Sequence, residues 1–377
     1  MMRIGIDATA LLKPKAGVGN YVFNLIKNLS LIDNENQYVM FYCHHLDVKE
    51  KMLKIESPNF ENRFIRFPTK MMKALWASIG LPKVDWFVGE VDLYHSPNYS
   101  LNALGRGKSL MTIHDLSYLA YRQFSLASGR WHYAFKIKNY AEKVDAIIAD
   151  SESTRSEIIK YLKIPQEKIH VIHLACSEAF QPLPKSDRTQ AIMEKYKIKG
   201  NFILFVGTLE PRKNLKGLIQ AYERSRAKED FLLVLAGGKG WKYKHIFRLV
   251  KQLKLEERVV FCGYVTDSDL PALYNSASVF VYPSFYEGFG LPPLEAMACG
   301  TPVIASPTTS LPEVVGDAGI YVDPFDVEQI SVSIDTVLSD TKLRQTLRER
   351  GLKRAKLFSW ERTARETLEL YQNLVRQ

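Results

Sequence analysis

The chain has 377 residues, 46% of them hydrophobic and 24% charged, and carries a formal net charge of +10. That length exceeds one ordinary core and suits two domains, in a composition typical of soluble globular proteins. The basic balance points to an anionic partner, yet Lys and Arg are spread along the chain with no run of five or six, which argues against a nucleic-acid-binding tail.

The first residues, MMRIGIDATA, read as a buried strand rather than a secretion signal, because no basic segment leads into an apolar core and a cleavage site. No apolar run approaches the roughly 18 residues of a membrane-spanning helix. Cys43, Cys176, Cys262 and Cys299 lie far apart and form no C-x-x-C pair, against a zinc site, a redox motif or a disulfide framework. A cytoplasmic location is expected.

Short β-rich runs then alternate with helical patterns. RIGID (3–7), QYVMFYC (37–43), RFIRF (63–67), DLYHSP (92–97), SLMTIHD (109–115), AIIADS (146–151) and KIHVIHLA (168–175) read as strands. Amphipathic stretches such as 20–29 and 131–143 separate them, which implies a parallel sheet covered by helices on both faces. A polar, proline-bearing stretch, SEAFQPLPKSDRT (177–189), reads as a linker. The alternation restarts with FILFVGTL (202–209), FLLVLAGG (231–238), RVVFCGYV (258–265), SVFVYPS (278–284), TPVIASP (301–307) and GIYVDP (319–324). These runs are apolar throughout, as parallel strands buried on both sides should be. Beyond 324 the pattern is helical, with Ser359 placed to cap a last helix that begins at Trp360. The expected boundaries are 1–180, 188–358 and a terminal helix 359–377 that returns to the first domain.

The most informative segment is YEGFGLPPLEAMACGTPVIAS (286–306). A strand ends at Ser284, Gly288 and Gly290 let the backbone approach a ligand, and Pro292-Pro293 suits the first turn of a helix whose N–H groups are free for a phosphate. Glu287 lies in the turn and Glu295 about one turn into the helix, with seven residues between them, so both can face one pocket. A capping acid beside a solvated acid would be the plain structural alternative. In LFVGTLEPRKNL (204–215), Arg212 and Lys213 follow the strand end at Gly207 and precede a helix, where cations oppose the helix dipole. A bidentate guanidinium beside a compact ammonium suits a diphosphate.

Here the chain resembles the family 4 glycosyltransferases, the group-1 retaining enzymes of the GT-B fold, over nearly its whole length. The resemblance implies two Rossmann-like domains with parallel sheets facing a central cleft. It implies that Glu287 bonds hydroxyls of a transferred hexose, that Glu295 bonds the ribose of the donor nucleotide, and that Arg212 and Lys213 neutralise the departing diphosphate. Phe289 and Leu291 belong to the same donor-binding turn. The glycine loop KAGVGNYVFNL (15–25) contributes Gly17 and Gly19 on the donor side, although a tight turn would also explain them. In TIHDLSYL (112–119), the family's turn sets His114 beside the donor sugar, near its 6-hydroxyl. Gly263 and Tyr264 in CGYV (262–265) match the position that holds the base. His95 and Asn98 in DLYHSPNYSL (92–101) and Ser151 in SEST (151–154) match positions near the acceptor.

TDSDL (266–270) contains a D-x-D of the kind that binds a divalent metal in another glycosyltransferase fold. Here LPALYNSA follows, so Asp267 reads as an N-cap and Asp269 as a first-turn acid, and no metal ligands are expected. KMMKALWASIGLPKVDWF (70–87) mixes lysines with large apolar residues, which suits either an anionic membrane surface or a core helix with its loop. GTLEPRKN with SLPEVVGDAG (310–319) resembles the mannosyltransferase branch. The expected donor is GDP-mannose, or else a UDP-hexose, with no cofactor; the acceptor is a glycan or lipid-linked glycan. The resemblance implies front-side attack with retention and no covalent nucleophile. A non-catalytic sugar-nucleotide or lipid-binding protein remains an alternative, as does an NAD-dependent oxidoreductase, although neither half has the full dinucleotide fingerprint.

Overall fold

The computed structural model describes residues 1–12, 17–99, 102–120, 130–184 and 186–377. Lys15 and Ala16 of the glycine loop, Ser100 and Leu101 of the 92–101 motif, and Lys185 of the linker lie outside the described residues. The chain forms two compact units, Met1–Leu174 with Ser359–Gln377, and Ala175–Phe358.

Unit 1 holds seven parallel strands: β1 (Arg3–Asp7), β2 (Gln37–His44), β3 (Phe60–Arg66), β4 (Leu93–Ser96), β5 (Lys108–Ile113), β6 (Ala146–Ala149) and β7 (Ile169–Val171), in the order 3-2-1-4-5-6-7. Unit 2 holds six: β8 (Asn201–Val206), β9 (Phe231–Ala236), β10 (Val259–Gly263), β11 (Val279–Tyr282), β12 (Val303–Ala305) and β13 (Gly319–Tyr321), in the order 10-9-8-11-12-13. Both are doubly wound Rossmann-like sheets. Their strand order reverses between β1 and β4 in one unit and between β8 and β11 in the other. Open parallel sheets take ligands in the crevice at the carboxyl ends of strands beside such a reversal.

The central strands are sealed on both faces, as their uninterrupted apolar runs require: Ile4, Ile6, Ile203, Leu204, Phe280 and Val281 are all fully buried. Each such side chain contributes about 1.5–3 kcal/mol of burial. β3 lies at the edge, where Glu61, Arg63 and Arg66 leave it half-solvated and charged, a usual guard against edge-to-edge pairing.

The boundary between units falls earlier than the expected residue 180, at 174/175. Residues 175–183 pack with the second unit because Phe180 meets Tyr274 edge-on, and Asn275 exchanges hydrogen bonds with the Gln181 carbonyl and the Leu183 N–H. The last helix, Trp360–Arg376, is capped by Ser359, whose Oγ accepts the Arg362 N–H. It buries Trp360, Thr363, Ala364, Thr367, Leu370, Tyr371 and Leu374 within unit 1, the spacing of one helical face.

The segment 70–87 splits into the helices Thr69–Ser78 and Asp85–Val88. Met72, Trp76, Val84 and Val88 enter the core, and Trp76 donates its indole N–H to the Pro82 carbonyl at 2.6 Å. Met71, Ile79 and Trp86 stay exposed, at 56%, 63% and 67%.

Candidate active site

At the β8/β11 reversal, the sequence from Gly207 to Leu215 folds into a rigid cradle. Gly207 has φ 155°, and its carbonyl packs so closely on Gly237 that a Cβ there would lie 1.9 Å from it. A single helical turn, Pro211–Lys213, then ends at Asn214 in the left-handed region, whose side chain caps the helix Leu215–Arg224 through the Gly217 N–H and donates to the Pro324 carbonyl. Arg212 and Lys213 are therefore held by backbone on both sides, which resolves the electrostatic awkwardness of cations before a helix.

Both cations converge on Glu287, which follows β11. Lys213 Nζ donates to Glu287 Oε1 and Oε2 at 2.7 and 2.9 Å and to the Tyr282 hydroxyl at 2.5 Å. Arg212 Nη1 donates to Glu287 Oε2 at 3.1 Å and to the Tyr286 carbonyl at 2.7 Å, while its Nε donates to Glu210 at 2.9 Å. Lys213 is 7% exposed and Glu287 6%. Burial alone would raise the Glu287 pKa, but the Lys213 and Arg212 charges overcome it and hold the carboxyl down at about 2. The cluster is an ionised, desolvated clamp.

Glu295 has the opposite electrostatics. It sits in the helix Leu291–Ala298, which begins after Gly290 in a positive-φ conformation, φ 115°. Its Oε2 accepts the hydroxyl of Tyr274, a fully buried residue, at 2.8 Å. Burial of the carboxyl, reinforced weakly by Asp267, raises its pKa to about 7 against the pull of Tyr274. The turn between the glutamates is pinned by Ser310, whose Oγ donates to the carbonyls of Glu287 and Phe289, and by Thr309, whose Oγ1 accepts the Glu287 N–H. Gly288 lies within this turn, Phe289 is buried, and Leu291 opens the helix. Gly263 ends the edge strand β10 with φ 68°, followed by Tyr264, 63% exposed.

In unit 1, Gly17 (φ 40°) begins the helix Val18–Ile32 in a conformation that favours glycine, whereas a Cβ on Gly19 would make only ordinary contact with the Ala10 carbonyl. His114 closes β5, with Nδ1 2.7 Å from Asp150 Oδ2 and Nε2 3.1 Å from the Pro97 carbonyl. Its pKa is raised: burial would lower it, but the Asp150 carboxylate prevails. Asp115 caps the following turn through Ser117. Asn98 lines a cavity of about 710 Å³ with Asp7, Gly19, Lys70, Lys73 and Pro97.

Two acceptor-side expectations change. His95 is fully buried, its Nδ1 2.7 Å from the Tyr371 hydroxyl and its Nε2 2.8 Å from Thr112 Oγ1, so it belongs to the interior rather than to a ligand-facing surface. Ser151 is equally buried and caps the helix Glu152–Glu157 through the Thr154 N–H. The D-x-D reading also shifts. Asp269, not Asp267, occupies the N-cap position of the helix Leu270–Ser276. Its carboxylate takes Lys195 Nζ at 2.6 Å and the Tyr196 hydroxyl at 2.9 Å, a structural tie to the helix Asp187–Lys195. Among the described residues no group of three or more His, Cys, Asp or Glu is placed to hold a metal ion.

Tyr282, Tyr274 and Asp150 were not singled out in the sequence. The tyrosines stand in apolar patterns where an aromatic reads as core, and only their position at a strand or helix end beside the glutamates marks them.

Residues 188–354 match the family described as Glycosyl transferases group 1, and residues 16–177 match Glycosyltransferase Family 4. The chain is 34% identical over 384 residues to O-antigen chain mannosyltransferase B of Escherichia coli, covering 98% of this chain and 99% of that one. The chain belongs to the family 4 glycosyltransferases. A longer relative, serotype-specific mannosyltransferase WbdA of Escherichia coli, is 35% identical over 291 residues; the match takes in 74% of this chain and 36% of that protein. Among solved structures, sucrose-phosphate synthase from Thermosynechococcus elongatus superposes with a TM-score of 0.77 at 23% identity, covering 99% of each chain. The Anabaena protein Alr3699/HepE, in complex with UDP and glucose, gives 0.76 at 20% identity, covering 99% of this chain and all of the other. With these likenesses the two Rossmann-like units are those of the GT-B fold, and the dehydrogenase alternative falls away. No helix among the described residues is long and apolar enough to cross a membrane.

Proposed function

We propose that this family 4 glycosyltransferase is a retaining, metal-independent mannosyltransferase that uses a nucleoside-diphosphate sugar and extends a glycan or lipid-linked glycan of the O-antigen type. The observation that carries the reading is the buried Arg212–Lys213–Glu287 clamp at the β8/β11 reversal, where a doubly wound sheet receives its ligand. The names of the relatives favour mannose, hence GDP-mannose as donor, with a UDP-hexose second.

In this reading Arg212 and Lys213 supply preorganised positive charge to the diphosphate, where a low-dielectric site makes each worth far more than in water. Glu287 accepts hydroxyls of the hexose, and Glu295 those of the ribose. As the bond from the anomeric carbon to the phosphate oxygen breaks, the acceptor hydroxyl attacks the same face. Its proton passes to the departing phosphate oxygen, so configuration is kept without a covalent enzyme intermediate. The cavity that Asp7, Lys70, Lys73 and Asn98 line is our choice for the acceptor, with Gly19 on its donor side.

Incubation with GDP-, UDP- and ADP-sugars tests this directly. Transfer from GDP-mannose with an anomerically retained product, seen by NMR, is expected; hydrolysis and transfer absent with every donor would leave only the non-catalytic binding reading. Turnover should survive EDTA, because the fixed cations do the work a metal would. Loss in EDTA restored by magnesium or manganese would overturn the metal-independent mechanism.

Exposed Met71, Ile79 and Trp86 beside Lys70, Lys73 and Lys83 support contact with an anionic membrane surface. The chain should sediment with vesicles containing phosphatidylglycerol and not with purely zwitterionic ones, and Trp86→Ala should weaken that binding.

A further inference from the structure

The imidazole of His114 faces two groups of fixed character. Asp150, at the end of β6, presents a carboxylate oxygen 2.7 Å from Nδ1, and Pro97, at the end of β4, presents a carbonyl oxygen 3.1 Å from Nε2. A carbonyl only accepts, and so does an ionised carboxylate. A neutral imidazole has one N–H and one lone pair, so it would set its lone pair against an oxygen on one side or the other. With Asp150 ionised, only the doubly protonated ring satisfies both partners.

His95, one strand away, shows the contrast. Its partners are the hydroxyls of Tyr371 and Thr112, each of which donates or accepts, so a neutral ring suffices. Burial and the nearby His114 push its pKa down to about 3. The two histidines on adjacent strands thus face different demands, because one has a carboxylate beside it and the other does not.

The line from Asp150 through His114 to Pro97 braces the ends of β6, β5 and β4. Pro97 and Asn98 form a wall of the 710 Å³ cavity. Among the described residues, the nearest other polar groups bond elsewhere. Tyr21, from the helix Val18–Ile32, meets the ring edge-on at 5.0 Å between centroids and spends its hydroxyl on Thr112. Asp115 takes Ser117, and Thr154 donates its hydroxyl to the His114 carbonyl.

We propose that Asp150 is a positioning residue: it holds His114 doubly protonated, so that the ring donates to the Pro97 carbonyl and fixes the wall of the acceptor cavity. The acceptor part rests on the glycosyl-transfer reading; the protonation state does not.

The test uses the full chain with ¹⁵N-labelled histidine, the His114 signals being assigned by their loss in His114→Gln. In the wild type both His114 nitrogens should carry protons from pH 6 to pH 8. Asp150→Ala should leave one nitrogen bare and raise the KM for octyl α-mannoside roughly tenfold at saturating donor. Asp150→Asn should restore the KM while the ring becomes neutral, because the amide N–H can donate to Nδ1 and leave the Nε2–H on Pro97. A bare His114 nitrogen in the wild type at neutral pH would overturn the proposal, and so would an unchanged KM in a folded Asp150→Ala protein. If no donor is turned over at all, the nitrogen spectra still decide the protonation state, and the failure then belongs to the transfer reading.

Discussion

Lys213→Met should abolish measurable sugar transfer and destabilise unit 2 by about 3–5 kcal/mol, the usual consequence of removing one partner from a buried ion pair. Lys213 gives two hydrogen bonds to Glu287 inside a nearly dry cluster, and without it Arg212 is the cation left beside Glu287. Glu287→Gln should cost a similar amount from the other side, because the Lys213 ammonium, already pushed down in pKa by burial, loses the carboxylate that offsets it. The informative experiment is the double variant. Replacing both charges by groups of similar volume often restores stability, so Lys213→Met with Glu287→Gln should unfold closer to the wild type than either single variant. Activity should stay lost, since Arg212 alone then faces the diphosphate and the hexose has lost its carboxylate. Recovery of both would mean the pair only supports the fold. The acid limb follows from the same cluster. Glu287 has a folded pKa of about 2, below the ordinary 4.5. Its stabilising contribution is therefore complete above about pH 4.5 and is lost as pH falls towards 2. Urea midpoints measured at pH 3 and pH 6 should differ less in Glu287→Gln than in the wild type.

The strands were legible because parallel strands buried on both faces must be apolar throughout, and few other segments of a globular chain are. The clamp was legible in part, since Arg212, Lys213 and Glu287 all follow strand ends, the positions a doubly wound sheet exposes. What sequence reading lacks is the partner supplied by distant chain. His95 looked like a site residue at a strand end until Tyr371, 276 positions away, closed over it. His114 gave no sign of its charge state, which depends on Asp150, 36 positions on. Asp269 stood in a pattern that suggests a cap or a metal, and only Lys195 and Tyr196 from another helix reveal a tie between helices. The unit boundary shifted for the same reason: a polar, proline-bearing stretch reads as linker whether or not Asn275 holds its backbone.

Glu295 supplies the second large effect, and it is one of pH. Its carboxyl titrates near pH 7 because burial opposes the charge and the Tyr274 hydroxyl only partly offsets that burial. A ribose diol donates its hydroxyls, so the ionised form should bind it better. Nucleoside-diphosphate affinity should therefore rise between pH 6 and pH 8 in the wild type, read by calorimetric titration with GDP. Glu295→Gln should flatten that slope, and Glu295→Ala should cost about 10- to 150-fold at pH 8, the equivalent of roughly 1.5–3 kcal/mol for a hydrogen bond to a charged group. Tyr274→Phe removes the bond that favours the carboxylate, so its affinity should climb only at more alkaline pH. Stability should run the other way. A carboxyl whose folded pKa is raised from 4.5 to about 7 contributes fully below 4.5 and loses that contribution as pH rises through 7. Glu295→Gln should accordingly be more stable than the wild type at pH 8 while binding GDP more weakly. Glu287→Gln serves as the comparison: it leaves Glu295 and Tyr274 in place, so the rise of GDP affinity between pH 6 and pH 8 should persist in it. A pH slope lost in Glu287→Gln and kept in Glu295→Gln would reverse the assignment of ribose and hexose, and a wild-type GDP affinity independent of pH would show that the charge on Glu295 plays no part in holding the nucleotide.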